Sequence, residues 1–569
     1  MKQWLVKDIV PEDAARELAE WPDPFRKILF HKGVKTKKEA EEFLNPAYDG
    51  GLHDPFLLDG MDKAVERISR AMKNNEKITV FGDYDADGIC SCVIFHDFFK
   101  KTGFENFHVH IPDRFLEGYG LNEKAVDEFA RAGTSLLITV DCGVTNGKEI
   151  EKANASGMDV VVIDHHLVQD GKTPPACAII DPKKEDDNYP FKFLCGAGLA
   201  FKTVCALVAR GGFNIVPGWE RWLLDLVAVA TVADMVPLVG ENRVLTLYGL
   251  RKVMPKTQRS GLISFYNRLG INPSIINEED LAFLISPRIN VAGRMDHATL
   301  GYNLLTTDSE KEADWISGRL ELLTADRKNQ VEKISSAVMN KIGREESPKI
   351  IVDGSADWYP GVLGIAANKI MEKYGCPVFL WGRGRADKIR GSCRSNGSIN
   401  LVDFMGGLPR EFFSDFGGHA FSGGFTLNDG REDELGEQIL DRFESYPRDN
   451  VENGFIFIDG EMKIDDMNWQ FYSFLEKLRP FGVENEKPVF AFYDLPISEV
   501  RKFGNGDAHL QINFKKSGGE NISAVGFFRG GDFSGLRSGQ KINLAASLER
   551  NDFRGRRELR LRIEDIKMV

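Results

Sequence analysis

ITVFGDYDADG (78–88) passes from an apolar run straight into three aspartates, Asp83, Asp85 and Asp87, and closes on a glycine. A short β-rich run without polar alternation reads as a strand covered on both faces, the condition of parallel sheets. Runs of this kind recur at FHVHI (107–111), LLITV (136–140), VVVI (160–163) and ACAII (176–180), with helical patterns between them. The expected fold class is α/β, with a doubly wound parallel sheet.

The acidic and imidazole residues fall at the ends of these runs. ITVDCG puts Asp141 after one strand, and VVIDHH puts Asp164, His165 and His166 after another. Open parallel sheets bind ligands in the crevice outside the carboxyl ends of their strands, so these loops should converge. Several carboxylates in one crevice repel each other unless cations sit between them. Mixed carboxylate and imidazole donors suit Mn²⁺, Mg²⁺ or another first-row divalent ion. A shared carboxylate can hold two such ions about 3.5 to 4 Å apart, an arrangement that activates water and neutralises a phosphoryl transition state. The bland reading of any one aspartate is a turn residue or helix N-cap. Three strand ends together favour metal.

Working outward, Trp222 to Val232 is apolar on nearly every side and reads as a buried helix, with Asp234 just beyond its end. From Ser309 to Lys341, residues Ile316, Leu320, Leu323, Val331, Ile334, Val338 and Ile342 keep helical spacing. At 1.5 Å per residue this makes a helix of roughly 45 Å, long enough to link two lobes. A second α/β unit begins at Lys349 and includes PVFLW (377–381). It closes near Tyr446, where Pro447 and RDNVENG read as a linker. AHLQINF (508–514), KINLAASLE (541–549) and ELRLRIEDI (558–566) then alternate as strands of a small barrel or sandwich.

Length and composition agree with several domains. At roughly 150 residues each, 569 residues make about three to four. The 42% apolar and 28% charged content excludes a mostly disordered chain. The most apolar window is broken by Asp225 and Asp234, so no membrane span is expected. The first residues carry Lys2, Lys7 and Asp8 without an apolar core, which predicts no secretory signal and a cytoplasmic chain. The eight cysteines include no CxxC pair and read as reduced, core-filling thiols. With 73 Lys and Arg against 85 Asp and Glu, the net charge is −12, so a polyanion needs a local basic patch or a metal centre.

GDYDADG (82–88), DCGVTN (141–146), DHH (164–166) and ADMVPL (233–238) together resemble the four motifs of the DHH phosphoesterase superfamily. IPDRFLEGYGLN (111–122), SPRINVAGRM (286–295) and GGHAFSGGF (417–425) narrow the likeness to its bacterial single-strand-specific exonucleases, over nearly the whole chain. The resemblance implies an N-terminal segment (1–45), a DHH domain (46–265), a linking helical region (266–345), a DHHA1 domain (346–447) and a C-terminal OB fold (455–569). It implies two divalent ions, Mn²⁺ or Mg²⁺, and water attack on a phosphodiester. Asp85 and Asp141 would hold one ion; Asp87, Asp141, His165 and Asp234 would hold the other, with Asp141 as the bridge. Asp83 would complete the first shell or act through water, His166 would touch the scissile phosphate, and Asp164 would orient an imidazole.

Arg114, Ser392 and Arg394 offer guanidinium forks and a hydroxyl suited to a terminal phosphate, and the likeness makes them a 5′-end pocket. Their bland alternative is a surface salt bridge. Gly418 and His419 stand in a Gly-rich loop that could approach a phosphate or be a simple tight turn. Ser422 there replaces the usual Ala, and RPFGVENEKPVF (479–490) lacks the Gly-Asn-Pro expected of the family. Arg288, Asn290 and Arg294 would line the strand's path, with helix capping or an interdomain role as the alternative for Asn290. Residues 501–569 hold 14 Lys and Arg against 8 Asp and Glu. There RNDFRGRRELRLR (550–562) interleaves Phe553 with Arg554 and Arg556, while Phe503 and Phe514 stand on neighbouring strands as candidate platforms for single-stranded bases.

The function expected is a 5′ to 3′ exonuclease releasing mononucleotides from single-stranded DNA in recombination and repair. The chain is expected to be a monomer without membrane contact, with a single-strand-binding protein or a RecQ-like helicase as protein partners implied by the resemblance. The alternatives are an oligoribonuclease, cyclic-dinucleotide phosphodiesterase or pyrophosphatase of the same superfamily, and a non-catalytic single-strand-binding scaffold.

Overall fold

In the computed structural model of the chain, the structure describes residues 2–168, 172–342, 348–383, 388–409, 411–448, 454–531, 533, 535–552 and 557–569. Most of the expected linker RDNVENG and the trio Phe553, Arg554 and Arg556 lie outside the described residues. The described residues divide into two compact units, His53–Val236 with Tyr248–Glu452, and Met1–Leu52 with Pro237–Leu247 and Asn453–Val569.

The first unit contains the doubly wound sheet. Strands β1 (Ile78–Gly82), β2 (Phe107–His110), β3 (Leu136–Val140), β4 (Asp159–Ile163) and β5 (Ala178–Ile180) lie in the order β2-β1-β3-β4-β5, all parallel. Every residue of β1 and β3 is buried, as their unbroken apolar runs require. The chain order reverses between β1 and β3, and ligand crevices open at such a switch point. Helix α1 (Ala86–Thr102) follows the aspartate loop, and α2 (Gly196–Arg210) and α3 (Leu224–Ala233) pack against it with most of their residues buried.

Helix α4 (Ser286–Met295) leads to the linking helix α5 (Glu310–Ile342), whose 33 residues span about 50 Å. Beyond it, β6 (Ile351–Ser355), β7 (Val378–Gly382), β8 (Arg390–Arg394), β9 (Phe413–His419) and β10 (Ser422–Leu427) form a sheet ordered β9-β10-β8-β7-β6. Only β6 and β7 pair in parallel, so this second α/β sheet is mixed. Its helix α6 (Pro360–Tyr374) follows β6.

The second unit is built on a seven-stranded sheet in the order Gly460–Glu461, Phe490–Pro496, Lys541–Asn551, Glu558–Met568, Asn521–Gly526, His509–Lys515, Glu499–Phe503. The N-terminal segment packs into this unit, a relation its sequence does not announce. Gln3–Val6 pairs in parallel with Phe455–Ile458, and Phe25, Ile28 and Leu29 share a core with Phe471, Leu475 and Leu544. Arg243 of the inserted segment donates to the Lys477 and Phe43 carbonyls at 2.9 and 3.0 Å. At the departure from the family pattern, the buried Asn485 amide ties the turn by donating to Leu478 and Pro480 carbonyls.

Six of the eight cysteines are buried as expected; Cys177 is exposed and Cys205 half-buried. Among the described residues, no helix is long and apolar enough to cross a membrane.

Candidate metal centre

The aspartate loop is built by close approach. A Cβ on Gly88 would lie 2.5 Å from the Asp83 backbone, so only glycine lets α1 begin there. Asp85 caps that helix, accepting from the Asp87 and Gly88 amides at 2.9 and 3.2 Å. Asp141 follows β3 with φ at 59°, a left-handed conformation unusual outside glycine. Its Cβ sits where a side chain on Gly196 would stand, only 2.7 Å away. The first amides of α2, Gly196 and Ala197, each donate to the Asp87 carboxylate at 2.7 Å.

These constraints bring the sequence-predicted groups together. His165 Nε2 lies 3.1 Å from Asp141, 3.6 Å from Asp234 and 3.7 Å from Asp87. Asp83 and Asp85 converge with Asp141 to within 4.8 Å as well, so Asp141 stands in both groups. Asp234 is the C-cap of α3, presented by the apolar helix that the sequence places there.

The electrostatics call for cations. Burial, with Asp85 close by, holds the Asp83 carboxyl well above the usual range, and burial with Asp87, Asp85 and Asp83 does the same to Asp141. Burial and like charge push Asp87 up to about 6 and Asp234 up to about 8. Asp83 Oδ1 is buried without a hydrogen-bond partner. Carboxylates so crowded, one with an orphaned oxygen, together with an imidazole, form a donor set that fits hard divalent cations.

The two adjacent histidines diverge. Burial and the neighbouring His166 press His165 down to about 3, leaving the neutral imidazole that metals bind. Burial also opposes charge on His166, but its 2.7 Å hydrogen bond to Asp164 outweighs that and raises it to about 9. Asp164 in turn accepts from the Val144, His165 and His166 amides, and the His166 ring and its charge, helped by the Val144 amide, hold its carboxylate below the usual range despite burial. Tyr119, with its hydroxyl 3.2 Å from His166 Nδ1, is a neighbour the sequence did not single out.

A prediction follows for metal-free protein. The folded Asp87 and Asp234 take up protons at higher pH than the usual 3.8, so the folded state binds more protons than the unfolded one between about 4 and about 8. In EDTA the melting temperature should fall as pH rises through that window, and excess Mn²⁺ should reverse the slope because ions compete with protons. A flat profile in EDTA would count against the crowding.

Next to this cluster, Arg114 stacks on the ring of Tyr84 at 4.6 Å, inside the aspartate loop. Arg394 Nη2 and Ser392 Oγ lie against Gly364 of α6, where a Cβ would meet them at 2.8 and 3.1 Å. Arg390 donates to the Phe115 carbonyl and ties the Arg114 loop to the second sheet. Arg294 is deeply buried among Arg114, Arg327 and Arg394, and burial with those charges depresses it to about 10.

The remaining expected contact residues have local partners in the fold. Arg288 is buried and paired with Glu321, and donates to the Leu284 carbonyl, so it clamps α4 to α5. The Asn290 carboxamide accepts from the Ala86 amide at 2.7 Å, the helix-capping role. Gly418 and His419 belong to the β9–β10 hairpin, where His419 pairs with Ser422 across a tight turn. Phe514 is 1% exposed in the barrel core and is no platform.

The second unit offers a different aromatic set. His509 packs edge-on against Phe527 at 5.3 Å and Phe528 at 4.9 Å and at a tilt against Phe503 at 5.1 Å, while Arg562 and Arg560 lie over Phe527 at 4.2 and 5.4 Å. Phe528 is 83% exposed, with φ at 58°, and its amide donates to His509 Nδ1 at 3.0 Å. GFFRG (526–530), an aromatic pair and an arginine between glycines, was the available signal.

Sequence-family models match the DHH family, N-terminal domain, at 77–231, the DHHA1 domain at 347–447 and the RecJ OB domain at 458–565. The chain is 32% identical over 549 residues to the single-stranded-DNA-specific exonuclease RecJ of Bacillus subtilis, covering 95% of this chain and 67% of that one. It is 30% identical over 571 residues to the RecJ of Salmonella typhimurium, covering 98% and 97%. The chain belongs to the RecJ family. The crystal structure of Thermus thermophilus RecJ in complex with Mn²⁺ superposes with a TM-score of 0.83 at 27% identity, covering 100% of this chain and 80% of that one. The Mg²⁺ complex of the same RecJ gives 0.78 at 25%, covering 100% and 78%.

Proposed function

We propose that this RecJ-family chain is a metal-dependent exonuclease that degrades single-stranded DNA from its 5′ end to mononucleotides. The observation that carries the reading is the placement, in one compact unit, of a buried carboxylate–imidazole cluster beside Arg114, Arg294, Ser392 and Arg394. Two divalent ions, Mn²⁺ or Mg²⁺, would be held by Asp85 and Asp141, with Asp83 beside them, and by Asp87, Asp141, His165 and Asp234. Bound there, such ions supply a water acidic enough to attack at neutral pH and Lewis acidity toward a phosphoryl oxygen.

The chain's own residues do the rest. His165 stays neutral, and Asp141 lies within reach of both groups. His166 is cationic at neutral pH, and with Nδ1 on Asp164 its Nε2 is left to donate to the scissile phosphate and stabilise charge developing on it. Arg114, Arg394 and Ser392 hold the 5′-terminal phosphate, which fixes the register of the next linkage over the cluster.

The aromatic set on the OB unit gives the strand's bases a stacking surface. Phe528→Ala should weaken binding of a single-stranded oligonucleotide about 5- to 100-fold, the value of one stacked base, without changing the melting temperature. Unchanged affinity in a fluorescence titration would remove Phe528 from the interface.

Single-stranded DNA is the macromolecular partner; a single-strand-binding protein or a RecQ-like helicase is part of the same proposal. Neither the small-substrate reading nor the non-catalytic scaffold is favoured by the family membership. The experiment is digestion of 5′- and 3′-labelled single strands with Mn²⁺ or EDTA. Label released first from the 5′ end as a mononucleotide, only with metal, supports the proposal; release from the 3′ end overturns it.

A further inference from the structure

The linking helix carries a charge in its apolar stripe. Leu320, Thr324, Val331, Ile334 and Val338 are buried at spacings of three, four and seven, and the position between Thr324 and Val331 that continues this face is Arg327. An apolar residue is the expected occupant. Arg327 is half-buried and, among the described residues, makes no ion pair or hydrogen bond. Two other guanidiniums are its charged neighbours, Arg294 of α4 and Arg288, which is already paired with Glu321. Burial and Arg288 pull Arg327 below its ordinary value.

Arg114, Arg294, Arg327 and Arg394 thus come from four different elements, and among the described residues none of them forms an ion pair, although the Asp85 carboxylate lies near Arg294. Arg294 has the other three and the Asp85 carboxylate as charged neighbours, whereas Arg327 neighbours Arg288 and Arg294 and is not among the charged neighbours of Arg394. A half-buried, unpaired guanidinium in a like-charge row is costly unless an anion completes it. A terminal phosphate held at Arg394 and Ser392 does not meet that need at Arg327, which is not among the charged neighbours of Arg394.

We infer that Arg327 binds an internal phosphate of the single strand, a contact separate from the 5′-terminal pocket. This deepens the exonuclease reading and rests on it. The linking helix would then grip the polymer as well as span the two lobes, so that strands long enough to reach it are held in preference to a dinucleotide.

The test is binding of a short 5′-phosphorylated oligothymidylate in EDTA, read by fluorescence anisotropy. Arg327→Met keeps the stripe apolar, so the fold should hold; Arg327→Gln serves where the methionine variant melts early. Expected are affinity about tenfold weaker, a salt slope reduced by about 0.7, the share of one phosphate on a single strand, and an unchanged preference for 5′-phosphate over 5′-hydroxyl ends. In a scan of single neutral methylphosphonate linkages, one internal position should weaken the wild-type chain and leave Arg327→Met unaffected. Wild-type affinity in both variants, loss of the 5′-phosphate preference, or no linkage sparing the variant would overturn the inference. Failure of the wild-type chain itself to bind any strand would instead bring down the exonuclease reading beneath it.

Discussion

Asp141→Ala should abolish cleavage of 5′-phosphorylated single-stranded DNA, with kcat reduced by roughly 10³-fold or more, beyond the 10- to 100-fold that loss of an outer partner costs at a metal site. Among the described residues, Asp141 is the one grouped with both His165 and the Asp83–Asp85 pair, so its removal disrupts both groups at once. Strand affinity should stay within about threefold, because the arginine row and the aromatic set do not include it. The same change should raise the melting temperature of the metal-free protein, since it takes one charge from a buried crowd in which Asp87, Asp85, Asp83 and Asp234 all repel Asp141. Mn²⁺ should then stabilise the variant far less than the wild-type chain. Near-normal turnover, or full stabilisation by Mn²⁺, would refute the bridging role.

The second large effect is on end recognition. Arg394→Ala should raise KM for 5′-phosphorylated strands by about 10- to 150-fold, the worth of a charge-assisted hydrogen bond to phosphate, and leave 5′-hydroxyl strands little changed. The preference for a phosphorylated end should therefore collapse. Arg394 sits against the first turns of α6 with Ser392, and its position beside Arg114 connects that pocket to Tyr84 in the aspartate loop. Steady-state kinetics on paired substrates with and without the 5′-phosphate give the result. An equal loss on both would make Arg394 a structural residue.

The aspartates were legible because parallel strands are recognisable as apolar runs and their carboxyl ends share one edge. ITVFGDYDADG and VVIDHH therefore carry both the sheet and the ligands. Side chains that answer to partners distant in sequence were not legible. Asn290 is spent on the Ala86 amide, 204 positions away, and Arg288 on Glu321 of the linking helix. Nor does any local pattern say that Gln3–Val6 pairs with Phe455–Ile458. Phe514 is a different case: alternation with Leu510 and Ile512 places it on the inward face of its strand, and the sequence already contains that period. Arg327 is the same kind of case: the helical spacing already shows it as the charged position in an apolar stripe.

The most direct measurement is anomalous diffraction at the manganese edge from crystals grown with Mn²⁺. Two peaks per chain are predicted, one between Asp85 and Asp141 and one among Asp87, Asp141, His165 and Asp234, both lost in Asp141→Ala. A single peak, or peaks away from these side chains, would contradict the account.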